Sequence, residues 1–101
     1  MWLIALFDLP SDTAKARSDY RLFRGALLKD GFLMMQYSVY TRHCASEENA
    51  LVHKKRIKSV LPPDGEVRIL ALTDKQYGRM EVFFGKIRSP TEAAPQQVTM
   101  F

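Results

Sequence analysis

The residue on which chemistry is most readily written is Asp8. It ends the apolar run Leu3-Ile4-Ala5-Leu6-Phe7, and Pro10 follows close behind. Proline lacks an N–H and holds φ fixed, so the extended run stops there. A short apolar stretch closed by a breaker reads as a strand buried on both faces. Asp8 then stands where that strand leaves the core. A lone carboxylate is costly to bury, so it sits at the rim or takes a partner. That partner is a metal, a base, or the same residue of a second copy. The competing reading makes Asp8 a turn residue that bonds the backbone near Ser11. Residue type alone leaves both open.

If Asp8 is functional, the chemistry is that of a hard cation. Mg²⁺ often takes only one or two carboxylates and keeps several waters. Two Asp8 side chains facing each other across a dimer axis would repel without a cation. With Mg²⁺ shared between them they could hold a water for phosphodiester attack. Ser11, Asp12 and Ser38 are candidate neighbours.

A second constellation is a row of cations. Arg17, Arg21 and Arg24 fall on one flank of a predicted helix and span about two turns. Guanidinium rows suit phosphate backbones, through bidentate contacts and counterion release. The competing reading is a solvated face partly neutralised by Asp19 and Asp30. Lys54, Lys55, Arg56 and Lys58 also cluster, but near a helix C-terminus, where cations complement the dipole.

Other signatures are missing. The 5 glycines are scattered, so there is no phosphate-cradling loop, and no G-x-S-x-G occurs. His43 and Cys44 are adjacent in a predicted strand and point to opposite faces, which is no Cys–His pair. His43 and His53 are isolated and read as surface or half-buried residues. The single cysteine, Cys44, excludes an internal disulfide and reads as a small apolar residue.

The chain has 101 residues, enough for one small domain with a single core. A hydrophobic content of 47% argues for a folded protein. A net charge of +4 and a pI near 9.4 permit a polyanionic partner. The N-terminal apolar run is too short to span a membrane, so a cytoplasmic location is expected.

The elements that must position these residues follow in order. Trp2 to Phe7 is strand one. Asp12 or Thr13 caps a helix that runs to about Asp30, with Gly31 just past its end. Ala16, Tyr20, Phe23 and Leu27 form its apolar face. Phe32 to Met35 and Val39 to His43 form a hairpin through Gln36-Tyr37-Ser38. Ser46 caps a second helix to about Val60, with Ala50, Ile57, Val60 and Leu61 inward. Glu66 to Thr73 is strand four, Asp74 to Arg79 a loop, and Met80 to Phe84 strand five. From Lys86 the composition becomes that of a linker or tail, ending in the apolar Val98 to Phe101. Residues 1–85 are expected to form the domain and 86–101 a tail that docks on a partner or is disordered.

This order predicts an α+β, ferredoxin-like βαββαβ fold with an extra C-terminal strand. Strands one and three should be central, with both helices on one face. The other face would be apolar and open, and sheet-to-sheet packing of two copies would cover it. The fold also hosts RNA binders that use sheet aromatics, but their pattern is not found here.

These residues resemble a known family. The strand ending Phe7-Asp8-Leu9-Pro10, then Tyr20-Arg21-Leu22-Phe23-Arg24, then Gly31-Phe32-Leu33-Met34-Met35-Gln36-Tyr37-Ser38-Val39-Tyr40, look like the small core subunit of CRISPR adaptation complexes, the Cas-two family. The resemblance covers about residues 2 to 85. It implies a homodimer sandwiched between dimers of the integrase subunit, bridging duplex protospacer DNA during spacer acquisition in antiviral defence. It implies Mg²⁺ between two subunits at Asp8, and a metal-dependent endonuclease activity on RNA or duplex DNA. Arg17, Arg21 and Arg24 map loosely to basic positions of the first helix. A toxin-like RNase, or a plain dimerisation module of the same fold, is the alternative.

Overall fold

The computed structural model describes residues 1–95, so the apolar Val98 to Phe101 segment and its expected docking lie outside the described residues. Strand β1 is Trp2–Asp8, one residue longer than expected. Thr13 accepts a hydrogen bond from the Ala16 N–H at 3.0 Å and opens helix α1, Ala14–Lys29. Gly31, at φ +89°, turns the chain back toward the sheet. Strands β2 (Leu33–Gln36) and β3 (Val39–His43) make the expected hairpin, with a register shift between Met34 and Gln36. Ser46 caps helix α2, Glu47–Ser59, and strand β4 is Glu66–Leu72.

The sheet order is β2-β3-β1-β4, and each neighbouring pair is antiparallel. Strands β1 and β3 are therefore central, as the two crossing βαβ units require. Alternate β1 residues face opposite ways. Leu3, Ala5 and Phe7 pack with Phe23 and Leu27 of α1 and with Ala50 and Ile57 of α2. Phe32, Tyr40 and Cys44 complete this core. Trp2 and Ile4 face the other way.

That second face is partly covered by the chain itself. Asp74 to Gly78, expected as a loop, forms a short helix, α3. A reciprocal capping box starts it: Thr73 accepts from the Gln76 N–H, and Gln76 accepts from the Thr73 N–H. Tyr77 of α3 stacks on Trp2 with ring centroids 3.9 Å apart. Leu6, Met35, Val39, Leu72, Met80 and Ala94 pack around them.

Three further expectations change. Strand β5 spans only Val82–Phe84, because Met80 is drawn back onto the second face. It joins no edge of the main sheet but pairs with β6, Ile87–Ser89, through the turn at Gly85. Strand β6 thus falls in the segment expected to be tail. Val60 and Leu61 are exposed rather than inward, since α2 ends at Ser59 before they can face the core. His53 takes the buried position instead, at 3% exposure. No helix among the described residues is long and apolar enough to cross a membrane.

Candidate active site and nucleic-acid surface

Asp8 is the last residue of β1 and is exposed. It borders a shallow cleft of about 230 Å³, whose walls are Leu6, Phe7, Tyr37, Ser38, Val39 and Glu66. Of its candidate neighbours, Ser38 shares this cleft. Asp12 lines a separate hollow with Leu9, Pro10, Asp19 and Asp64, and Ser11 lines neither. The Ser11 carbonyl accepts from the Arg17 guanidinium at 3.2 Å.

Two features around Asp8 are invisible without the strand register. Glu66 lies directly opposite it on β4. Like charges placed opposite one another destabilise a sheet, and Arg68 meets part of that charge by donating to Glu66 at 2.6 Å. Gly65 is the second feature. At φ +94°, a Cβ on it would lie 2.7 Å from the Asp8 carbonyl oxygen and 2.7 Å from Leu9 Cδ2. Only a glycine lets β4 begin this close to the end of β1.

The other side of the cleft is the β2–β3 turn. Ser38 sits in the left-handed region at φ +61°. Its carbonyl accepts from the Phe7 N–H at 3.0 Å, and its hydroxyl meets the Tyr20 hydroxyl at 3.1 Å. Burial raises the Tyr20 pKa, against the lowering effect of the Ser38 bond, so the phenol stays protonated at neutral pH. Tyr37, at the tip, is exposed and near-parallel to Tyr20.

Arg17, Arg21 and Arg24 are all exposed along α1. Arg24 donates from Nε to the Tyr40 hydroxyl at 2.6 Å, and Arg17 to the Ser11 carbonyl. Among the described residues, neither Asp19 nor Asp30, the carboxylates of the competing reading, pairs with this row. Asp19 bonds Lys15 at 3.0 Å, and Asp30 bonds Arg56 and His53, each at 2.7 Å. The carboxylates turn to nearer cations on α1 and α2, and the arginine row keeps its charge.

The model of the family described as CRISPR associated protein Cas2 matches residues 1–80. The chain belongs to the Cas2 family. A relative from Parvibaculum lavamentivorans, named CRISPR-associated endoribonuclease Cas2, is 60% identical over 101 residues, spanning both chains completely. A second of the same name, from Flavobacterium psychrophilum, is 48% identical over 101 residues, covering all of this chain and 88% of its own. The crystal structure of Streptococcus pyogenes Cas2 at pH 6.5 matches with a TM-score of 0.62. The match spans 83% of this chain and 100% of that one, at 19% identity, and so shows likeness of fold. The Cas2 assignment agrees with the residues that carried the resemblance, all of which fall within the matched range.

The donor set around Asp8 suits Mg²⁺ by chemical type, since Asp8 and Glu66 offer hard carboxylate oxygens from adjacent strands. It does not make a full cage. Among the described residues no group of three His, Cys, Asp or Glu side chains could hold a metal ion.

Proposed function

We propose that this chain is the small subunit of a CRISPR spacer-acquisition complex, a homodimer that binds duplex protospacer DNA and bridges integrase dimers. The observation that supports this best is the exposed, un-neutralised row Arg17, Arg21 and Arg24 on α1, in a chain of the Cas2 family. Two such rows, one per protomer, would give a rigid basic surface for a duplex backbone. Phosphate contacts of this kind position a duplex without reading its sequence.

A second capacity is endonuclease activity at Asp8, favoured by the relatives' name of endoribonuclease. Asp8, together with the Asp8 of a second copy, would hold Mg²⁺, and Glu66 lies in register to assist. The bound ion would supply Lewis-acid stabilisation and an acidified water. This chain's own contribution is the placement of Asp8: Gly65 sets its backbone, and the Ser38 turn closes one side of the cleft.

Two measurements test these readings separately. Arg21→Ala should weaken binding of unrelated duplexes alike and lower the salt slope by about one unit. Loss confined to one sequence would overturn the backbone assignment. Asp8→Ala should abolish Mg²⁺-dependent cleavage of RNA or duplex DNA. Spacer acquisition in cells should survive that change if bridging is the essential role, and fail if cleavage is.

A further inference from the structure

We propose that Tyr37, backed by Tyr20, is a stacking platform for an unpaired base of single-stranded nucleic acid at the mouth of the Asp8 cleft. The proposal rests on reading α1 as a nucleic-acid surface, and it does not require any chemistry at Asp8.

Tyr37 is 81% exposed, the largest exposure of any large hydrophobic or aromatic side chain among the described residues. A ring that contributes nothing to the core is normally free to swing. This one stands on a turn that is fixed three ways. Ser38 holds a left-handed φ of +61°, its carbonyl takes the Phe7 N–H, and its hydroxyl is tied to Tyr20. The Tyr37 ring lies 20° from parallel with Tyr20, with centroids 6.3 Å apart. Tyr20 in turn meets Phe7 edge-on at 5.8 Å, so the support reaches the core. The result is an aromatic face near-parallel to Tyr20, open to solvent and adjoining the cleft.

Charge then selects the occupant. Arg17 and Arg24 stand three residues before and four residues after Tyr20 on α1. That spacing puts both on the helix side that carries Tyr20. Arg24 is held in place by its bond to Tyr40, and Arg17 by its bond to Ser11. Two guanidiniums therefore bracket the tyrosine pair, while Asp8 and Glu66 lie across the cleft. A polyanion would run its phosphates along α1 and away from the carboxylates, turning its base toward Tyr37. Aromatic faces combined with a basic track are the recognition chemistry of single strands. A duplex keeps its bases stacked on one another and cannot present one to the ring. The stack sees only a base, so single-stranded DNA and RNA share this chemistry.

The test uses the full-length protein carrying Tyr37→Trp, titrated with short oligo(dT), oligo(U) and a blunt duplex. The emission of buried Trp2 is present in the wild type and is subtracted. Both oligonucleotides should quench the added emission, and the duplex should not. Quenching by oligo(U) alone would assign the site to RNA, and by oligo(dT) alone to DNA. In anisotropy titrations, Tyr37→Ala should weaken single-strand binding about fivefold or more. Tyr37→Phe should stay within about twofold, because the ring and not the hydroxyl does the stacking. Neither change should alter duplex affinity. Single strands that bind without quenching, or with affinity indifferent to Tyr37→Ala, would overturn the platform and leave the helix surface standing. Failure of single strands and duplex alike to bind would overturn both.

Discussion

Asp30 shows how one residue can tie three elements together. It caps the end of α1, and its carboxylate meets His53 and Arg56 of α2 at 2.7 Å each. Its carbonyl accepts from Arg42 of β3, also at 2.7 Å. Burial by itself would raise its pKa. The hydrogen bonds and charges of Arg56 and His53 outweigh burial and bring it below the ordinary value. A carboxylate with a depressed folded pKa stabilises the fold above its unfolded pKa. That stability disappears as pH falls through the depressed value. Asp30→Asn should therefore cost about 2 kcal/mol in urea unfolding at neutral pH, and the gap to wild type should close as the pH is taken down through the depressed value. A gap of the same size above and below that value would show that the ion pair is not its source. The end of α1 near Asp30 was legible in the sequence, but the partners of Asp30 were not. His53 reads as an isolated histidine because its partner is 23 residues away, and Asp30 reads as a neighbour of the arginines because helical spacing is all that a sequence supplies.

At the scale of elements, capping chemistry was the most readable signal. Thr13 and Ser46 each begin a helix where a hydroxyl precedes an amphipathic run. Strands β1, β3 and β4 were legible from apolar runs between breakers. Helix α3 was missed although its capping box, Thr73 with Gln76, was visible. Its 5 residues are too few to display a 3.6-residue period. Strand β6 was missed because Ile87-Arg88-Ser89 has no apolar alternation to mark it. The candidate site divides the same way. Asp8 and the arginine row were legible from residue type, whereas Glu66, Gly65 and Tyr37 join it only through register and turn geometry. Gly65 gives a direct check of that geometry. Gly65→Ala should force the Asp8 backbone to shift and should cost roughly 1–3 kcal/mol through its positive φ alone. Any Asp8-dependent cleavage should fall with it, even under conditions where the variant remains folded. An alanine variant with wild-type stability and activity would mean that the start of β4 does not set the position of Asp8.

At the scale of the molecule, the sheet's second face is the surface on which the proposed dimer would be built. Alpha-helix α3 and residues near Ala94 cover the Trp2 end of that face, where Tyr77 is so enclosed that burial and the Glu92 bond push its pKa up to about 12. The Asp8 end is left open. Leu70, opposite Ile4 in the register, remains 47% exposed, and Leu6 is only half-buried. The β5–β6 hairpin, whose Arg88 and Ser89 line a cleft with Trp2 and Asp74, carries exposed Phe83, Phe84 and Ile87. A two-stranded hairpin is marginal by itself in water, and an apolar surface of this kind calls for a cover. A second copy packed face to face would bury Leu70 and bring the two Asp8 ends together, which the shared-cation reading of Asp8 demands. Leu70→Lys tests this without damaging the protomer, since the side chain contributes little to its core. The wild type should then run in light scattering at twice the chain mass of 11.6 kDa, and the variant at the single-chain mass, with its thermal transition retained. A variant that remains dimeric would exclude this face as the interface. A wild type that is monomeric at every concentration would remove the shared site at Asp8 as well.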